Sequence, residues 1–534
     1  MNATRGFVWS LLLAIGFAVG CGGGGGGTPP APPPPPPTSS NTPSSGTPTP
    51  IPTPTGNTGY YLAAVSPANG VPAYISDAIY LQFSQAPNLQ TTENAISVTP
   101  LTPGVPTPLP TRFITQVPNY PNTIGIKFFA QAGASYRITI ASTATSQSGA
   151  SYGGLSAFTV TLPTTPPLPA PVSPQPQATY FYGLSPGGTT QQILNELAPL
   201  TPKIVRIGTD MSATEPSQGQ FSFSGLDGIL QTLANAGIAV DLLLTQYNAP
   251  EWAVADGGPA PPTPAPPAGY IPCTPQIYAQ WVAAVVQHVS NAAQHPGYTY
   301  PPPAAIEIGN EPDTPAFWVV DPNNTTCTAN QFQGTANPAP YVPYLEEAAS
   351  QARPYRANGT VFLNAGIATN ADDETYFLSL VQTLVSQGFV QDLDGWAIHL
   401  YAWADPDPGA QSARTWQAFT VLTDDMQAAA NAGATKPFWV TEGAFTSNPF
   451  CPDSVDPQTQ GYFLVADYNR MAAISSPSYV ASFIYFELQD QASPSSPQGN
   501  QDPCFEPAGM GLFDVNGVQR KPVYQAFYDL THGI

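Results

Sequence analysis

From Ala178 to Ile534, short apolar runs alternate with longer stretches in which apolar residues recur every three or four positions. The short runs read as strands: "YFYGL" (180–184), "IVRI" (204–207), "AVDLLL" (239–244), "AAIEI" (304–308), "VFLNA" (361–365), "GWAIHL" (395–400), "PFWVT" (437–441) and "ASFIYF" (481–486). The longer stretches read as helices. The clearest is 278–289, where Trp281, Val282, Val285, Val286 and Val289 form one apolar stripe. Further helical patterns fall at 189–199, 226–236, 342–357, 373–387, 411–432, 457–474 and 522–531. Strand and helix alternating eight times predict an α/β fold, a (β/α)8 barrel of the TIM type, over residues 179–534. The Pro-rich stretch 257–269 and the segment 319–340 read as long loop insertions.

Residues 59–163 follow a different period. Runs such as "AIYLQF" (78–83), "RFITQV" (112–117), "IGIKFF" (124–129), "SYRITI" (135–140) and "AFTVTL" (157–162) alternate or cluster apolar residues between turn signals. They predict an all-β sandwich. "VSPANGVP" followed by "AIYLQFSQAP" resembles the opening of bacterial Ig-like domains, which implies a spacer or weakly adhesive module. Residues 164–178 are a Pro-rich linker, and 21–58 are a Gly/Pro/Ser/Thr tether unable to bury apolar surface. Residues 1–20 read as a signal peptide, with Arg5 ahead of an apolar run from Phe7 to Gly20. Ala18-Val19-Gly20-Cys21 resembles a bacterial lipoprotein processing site, which would make Cys21 the lipidated first residue. The expected location is therefore the bacterial cell envelope, lipid-anchored at the outer membrane or cell surface. The alternative is an ordinary secretory signal and a secreted protein.

Charge narrows the partners. The 534-residue chain carries −21 net, with no Lys or Arg between Ile207 and Ala352. Such a surface repels nucleic acid and anionic lipid and suits a neutral ligand. Beyond Cys21 there are Cys273, Cys327, Cys451 and Cys504. An even count in an exported chain suggests disulfides, in one of three pairings. Cys273 with Cys327 and Cys451 with Cys504 would each clip neighbouring loops. Zinc is the competing use of cysteine, but no Cys-x-x-Cys or paired His accompanies these residues. No cofactor is expected, and the chain reads as a monomer.

The candidate chemistry lies at strand ends, where a barrel of this type builds its site. Glu311 closes the fourth strand and Glu442 the seventh. Two carboxyls facing each other across a barrel mouth suit glycoside cleavage. One protonates the leaving oxygen; the other attacks the anomeric carbon. Glu307 reads as part of a buried network. Asn310-Glu311-Pro312 together with Glu442 resembles the retaining glycoside hydrolases of clan A, and "EIGNEP" and "LLLTQYNAPEWA" look closest to family 39, with parts shared by families 5 and 79. The resemblance implies that Arg206 hydrogen-bonds the nucleophile and that Asn310 binds a sugar 2-hydroxyl. It also makes His399 and Tyr401 the strand-six pair, with the Tyr hydroxyl on the nucleophile. Where that clan usually has Trp at the end of strand eight, this chain has Phe486. Trp252, Trp318 and Trp403 lie just past strand ends and are candidate sugar-stacking walls. Asn248, Glu251 and Asp490 are weaker candidates for substrate hydroxyls. The expected function is a retaining glycosidase acting on a neutral poly- or oligosaccharide. A catalytically inactive carbohydrate-binding or adhesive surface lipoprotein is the alternative. A hydrolase of another bond is disfavoured, since no paired-His metal motif appears.

Overall fold

The computed structural model describes residues 49–50, 59–66, 79–105, 111–114, 121–129, 131–154, 156–186, 191–256, 269–334, 336–368, 374–401, 418–449, 451, 454–490, 509–514, 516–517 and 519–534. The signal segment, Cys21, Trp403 and Cys504 lie outside the described residues.

The N-terminal part holds β1 (Thr49–Pro50), β2 (Leu62–Ser66), β3 (Ile79–Phe83), a short helix α1 (Leu89–Ala95), β4 (Ile96–Pro100), β5 (Thr111–Ile114), β6 (Thr123–Phe128), β7 (Ser135–Ile140) and β8 (Ala157–Thr161). Two sheets form, in the orders β1-β2-β3-β6-β5 and β4-β7-β8. Every pairing within them is antiparallel. Alternation explains the fold: Ile79, Leu81 and Phe83 are buried, as are Tyr136, Ile138 and Ile140 on the other sheet. The tether boundary at residue 58 needs correction. Thr49 and Pro50 pair with Val65 and Ala64 as an edge strand. At an edge, the missing proline N–H costs no ladder bond.

The rest is a closed barrel. Its strands are β9 (Tyr182–Ser185), β10 (Ile204–Thr209), β11 (Ala239–Leu244), β12 (Ala305–Asn310), β13 (Val361–Ala368), β14 (Trp396–Tyr401), β15 (Phe438–Ala444) and β16 (Val480–Phe486). They close in sequence order, all parallel, with β16 pairing back onto β9. The helices around them are α2 (Gln191–Leu200), α3 (Met211–Thr214), α4 (Ser224–Asn235), α5 (Glu251–Ala255), α6 (Pro275–Ser290), α7 (Val342–Ala352), α8 (Glu374–Ser386), α9 (Ala418–Asn431), α10 (Pro457–Ala473) and α11 (Pro522–His532). All eight strands expected from the apolar runs are present. In α6, Thr274 caps the first turn by accepting from the Ile277 N–H at 3.4 Å, and Pro275 starts the helix. Its apolar stripe from Trp281 to Val289 is buried.

Inside the barrel, Ile204, Ala305, Leu363, Ala397, Trp439, Ala481 and Ile484 form an apolar plug separate from the outer core. Side chains two apart share a strand face. Arg206, Glu307, His399 and Thr441 therefore follow Ile204, Ala305, Ala397 and Trp439 on the inner face, above that plug. A polar layer on an apolar floor is thus written into the strand spacing.

Cys273 and Cys327 are disulfide-bonded across a separation of 54 residues. The bridge ties the start of α6 to the insertion after β12. A loop of that length contributes about 4 kcal/mol in the chain-entropy account. Cys451 is also disulfide-bonded.

The Pro-rich segment 164–178 is no slack linker. It runs along α10, where the Val172 N–H donates to Asn469 Oδ1 at 2.7 Å and Asn469 Nδ2 donates to the Ala170 carbonyl at 2.9 Å. Gln175 Nε2 reaches the Ala472 carbonyl at 3.2 Å. At the start of the helix, Asp456 both caps α10 and accepts from the Ala132 N–H of the N-terminal sheets at 3.0 Å. A proline-rich chain cannot pair as a central strand, but its carbonyls and remaining N–H groups suit an extended strap.

Candidate active site

Glu307, fully buried, is the anchor. Arg206 Nε donates to its Oε2 at 2.7 Å and Arg206 Nη2 to its Oε1 at 3.0 Å. The Gly366 N–H and the Thr441 hydroxyl also donate to Oε1, at 2.7 and 3.2 Å. A planar guanidinium held in this fork has its remaining nitrogens aimed. Arg206 Nη1 reaches Glu442 Oε1 at 2.5 Å, and Nη2 reaches Asn310 Oδ1 at 2.8 Å. Tyr401 donates its hydroxyl to the other Glu442 oxygen, Oε2. His399 Nδ1 lies 2.6 Å from Glu311 Oε1 and 3.6 Å from Glu442 Oε2, while Nε2 lies 3.4 Å from Arg206 Nη2. Donor atoms of Glu311, His399 and Glu442 all fall within 4.8 Å of one another.

Backbone irregularity aims these groups. The β14–β15 register shifts at Ile398/His399, and β15–β16 shifts between Val440 and Gly443. Bulges of this kind re-aim side chains. On β13, a Cβ at Gly366 would come within 2.0 Å of His399 Nε2 and 2.9 Å of Glu307 Oε1. Glycine there makes the room the imidazole occupies. At the end of β12, Gly309 (φ +94°) and, just past the strand, Glu311 (φ +41°) both take the left-handed region, which glutamate adopts only at a cost.

The charges are set by these contacts. Burial pushes the Glu442 carboxyl up. The charges of His399 and Arg206 and the bonds from Tyr401 and Arg206 outweigh it and hold the group below the usual 4.5. Burial pulls the His399 imidazole down. Glu442's charge, the bond to Glu311 and Glu311's charge outweigh burial and Arg206's opposition, and the imidazole is raised above 6.5. Burial pushes the Tyr401 phenol well up, as do the charges of Glu442 and Glu311, so it stays a donor. Glu311, His399 and Glu442 are the group, among the described residues, whose donors are close enough to share a cation. Arg206 already neutralises Glu442 and His399 Nδ1 already bonds Glu311, so the set favours proton transfer over metal binding.

The site brings together Arg206, Asn310, Glu311, His399, Tyr401 and Glu442 from β10, β12, β14 and β15. Phe486, half-buried, meets the Tyr401 ring edge-on at 6.2 Å. Trp252 is half-buried on α5, its indole N–H donated to the Glu215 carbonyl at 3.2 Å. Trp318 is corrected from wall to core. It is 2% exposed, its ring lies edge-on to Tyr341 and Tyr344, and its N–H donates to the Asn330 carbonyl. Asp490 is likewise structural, binding the Gly511 N–H and Lys521. Asn248 is exposed and donates to Asp210.

Two residues beyond β11 were not singled out by sequence. Gln246 is 1% exposed and bonds the main chain of Asn310. Tyr247 packs its ring on Phe317 at 5.2 Å. Its phenol is pushed up by burial, partly offset by Arg206 and reinforced by the charges of Glu442, Glu311 and Asp210. The signal available was the strand itself: both follow its end, where a barrel site is built. Asp241 was also missed. It pairs across from Arg206, is fully buried, and neither oxygen has a hydrogen-bond partner among the described residues. Burial and Glu307's charge push its carboxyl well above the usual range, against the opposing charge of Arg206.

Residues 180–280 match a family model described as Beta-galactosidase, of glycoside hydrolase family 42. No curated protein sequence matches the chain. Among solved structures, the chain is similar to a family 39 glycoside hydrolase from the gut symbiont Bacteroides cellulosilyticus, at 13% identity and TM-score 0.44, over 89% of this chain and 80% of that one. A family 39 β-xylosidase from Caulobacter crescentus is similar at 14% identity and TM-score 0.43, over 68% of this chain and 73% of that one. A family 10 xylanase from Bispora sp. is similar at 14% identity and TM-score 0.45, over 67% of this chain and 97% of that one.

Proposed function

We propose that the barrel is a retaining glycoside hydrolase of clan A acting on a neutral poly- or oligosaccharide. The observation that carries this is the carboxyl pair, with oxygens of Glu311 and Glu442 within 4.8 Å. Retaining enzymes hold their carboxyls about 5 Å apart, which leaves no room for a water between carboxylate and sugar. The family-model match over 180–280 supports the same class and makes an aryl β-galactoside the first substrate to try.

In the first step Glu442 attacks the anomeric carbon. The bond from that carbon to the glycosidic oxygen breaks as Glu311 passes its proton to the departing oxygen. In the second step Glu311 takes a proton from water, the hydroxide attacks the same carbon, and the ester to Glu442 breaks. Arg206 and Tyr401 keep Glu442 ionised for attack and accept its charge again on release. His399, bonded to Glu311, helps hold the proton donor at the pair. Asn310 Oδ1 is bound to Arg206, which leaves its amide NH2 for the sugar 2-hydroxyl. Phe486 supplies an apolar face for the reactive sugar. The absence of Lys and Arg from 207 to 352 supports a neutral substrate over a uronic acid.

Export and lipid attachment at Cys21 belong to the same reading, as does an Ig-like spacer made of the N-terminal sheets. The motif Ala18–Cys21 and the tether behind it support this. The chemistry is tested by incubation with a 2-deoxy-2-fluoro aryl glycoside. Mass mapping should find the sugar on Glu442, and NMR of an ordinary substrate should find the anomer retained. An inverted product, or label on another residue, rejects the proposal.

A further inference from the structure

We infer that Gln246 is the residue that positions Glu311, by replacing with its side chain the strand pairing that β12 loses where it turns to deliver the acid. The inference rests on reading Glu311 as the acid/base.

The β11–β12 ladder ends at Leu244↔Ile308. Gly309 then swings to φ +94°, and the ladder from β11 goes no further among the described residues. Gln246 takes over. Its Oε1 accepts from the Asn310 N–H at 2.7 Å, and its Nε2 donates to the Asn310 carbonyl at 2.7 Å. One primary amide thus bonds both main-chain groups of the residue before Glu311, as a neighbouring strand would. The same Nε2 lies 3.1 Å from the Phe317 carbonyl, tying down the chain that leaves Glu311. The partners fix which end of the amide is which, because a flipped amide would set NH2 against N–H. On the opposite side Glu311 is held by ordinary pairing, its N–H donating to the Gly366 carbonyl at 2.9 Å. Glu311 itself sits at φ +41°, a conformation that persists only when its surroundings over-determine it. The Gln246 amide, buried and doubly bonded, supplies that constraint from the β11 side.

The prediction separates positioning from general damage. Poor leaving groups need the proton from Glu311, whereas 2,4-dinitrophenolate departs without it. The test compares kcat/KM on phenyl and 2,4-dinitrophenyl β-glycosides of a sugar the wild type accepts, β-galactose first. For Gln246→Leu, shown folded by circular dichroism, kcat/KM on the phenyl glycoside should fall ~10²-fold and on the dinitrophenyl glycoside within ~3-fold. Gln246→Glu guards against a leucine variant that does not fold. Its neutral acid reproduces both bonds to Asn310, but its carboxylate has no proton for the carbonyl. Its activity on the phenyl glycoside should approach wild type at acid pH and fall more steeply than wild type as pH rises. Equal losses on both substrates, or a Gln246→Glu profile parallel to wild type, would overturn the inference. Glu311→Gln is the control. If it shows the split and Gln246→Leu does not, only the role of Gln246 fails. If Glu311→Gln shows no split, the acid/base reading itself fails.

Discussion

The two carboxyls at the barrel mouth are held in opposite ways. Glu442 sits within its strand, at the register shift between Val440 and Gly443, and its side chain is fixed by a permanent cation and a phenol, Arg206 and Tyr401. Glu311 sits beyond its strand, on a left-handed backbone clamped from both sides, and its side chain meets a titratable imidazole. In the mechanism we propose, the group that must stay ionised is held by charge. The group that there gains and loses a proton is held by its main chain, beside a titratable imidazole. Placement is therefore secured by different atoms at the two positions.

The contrast breaks most visibly at the carboxyls themselves. Glu442→Gln should lower kcat on every aryl glycoside by roughly 10⁵-fold or more, irrespective of leaving group. Glu311→Gln should lower kcat/KM by about 10²–10⁴-fold on phenyl glycosides and far less on activated ones. Steady-state kinetics on the same substrate pair checks both, and matching profiles for the two variants would erase the distinction.

Arg206→Leu should come next. It strands Glu307 and Glu442 in the barrel without their shared cation. Breaking a buried pair in this way costs about 3–5 kcal/mol, readable in urea unfolding. Arg206→Lys should recover little, because an ammonium cannot fork to Glu307 and still reach Glu442.

Tyr401→Phe removes one charge-assisted bond from Glu442, worth about 1.5–3 kcal/mol. Loss of that bond takes away one of the influences holding Glu442 low. The acid limb of the kcat/KM profile should move to higher pH, with a loss on the order of 10- to 100-fold.

The smallest effect is the stability contribution of His399. Its folded-state pKa is raised above the ordinary 6.5. The stabilisation is complete below that value and is lost as pH rises through the folded one. Melting temperature should therefore drop on moving from about pH 6 to about pH 9, and His399→Gln should flatten that drop. An unchanged slope in the variant would assign the pH dependence to other groups.

Much of this was legible in the chain. Eight apolar runs became eight strands because each is buried on both faces, which leaves a continuous signature. Arg206, Glu307 and His399 follow plug residues by two positions, so strand parity alone faces them inward. Gln246 was not legible, since one polar residue after a strand looks like any loop, and its partner is 64 residues away. Trp318 misled for a related reason. An aromatic past a strand end invites a wall, but the following insertion carries Asn330, whose carbonyl takes the indole N–H and leaves the ring in the core. β1, β2 and β4 of the N-terminal sheets went unread because non-local pairing, more than local period, defines them.

The strap along α10 bears on how the molecule can be taken apart. A barrel cut free at residue 178 would leave Asn469 and the Ala472 carbonyl without the chain they now bind, and Asp456 without Ala132. Because α10 is the next helix after the strand of Glu442, trimming the strap would expose the outer face of the helix that follows that strand.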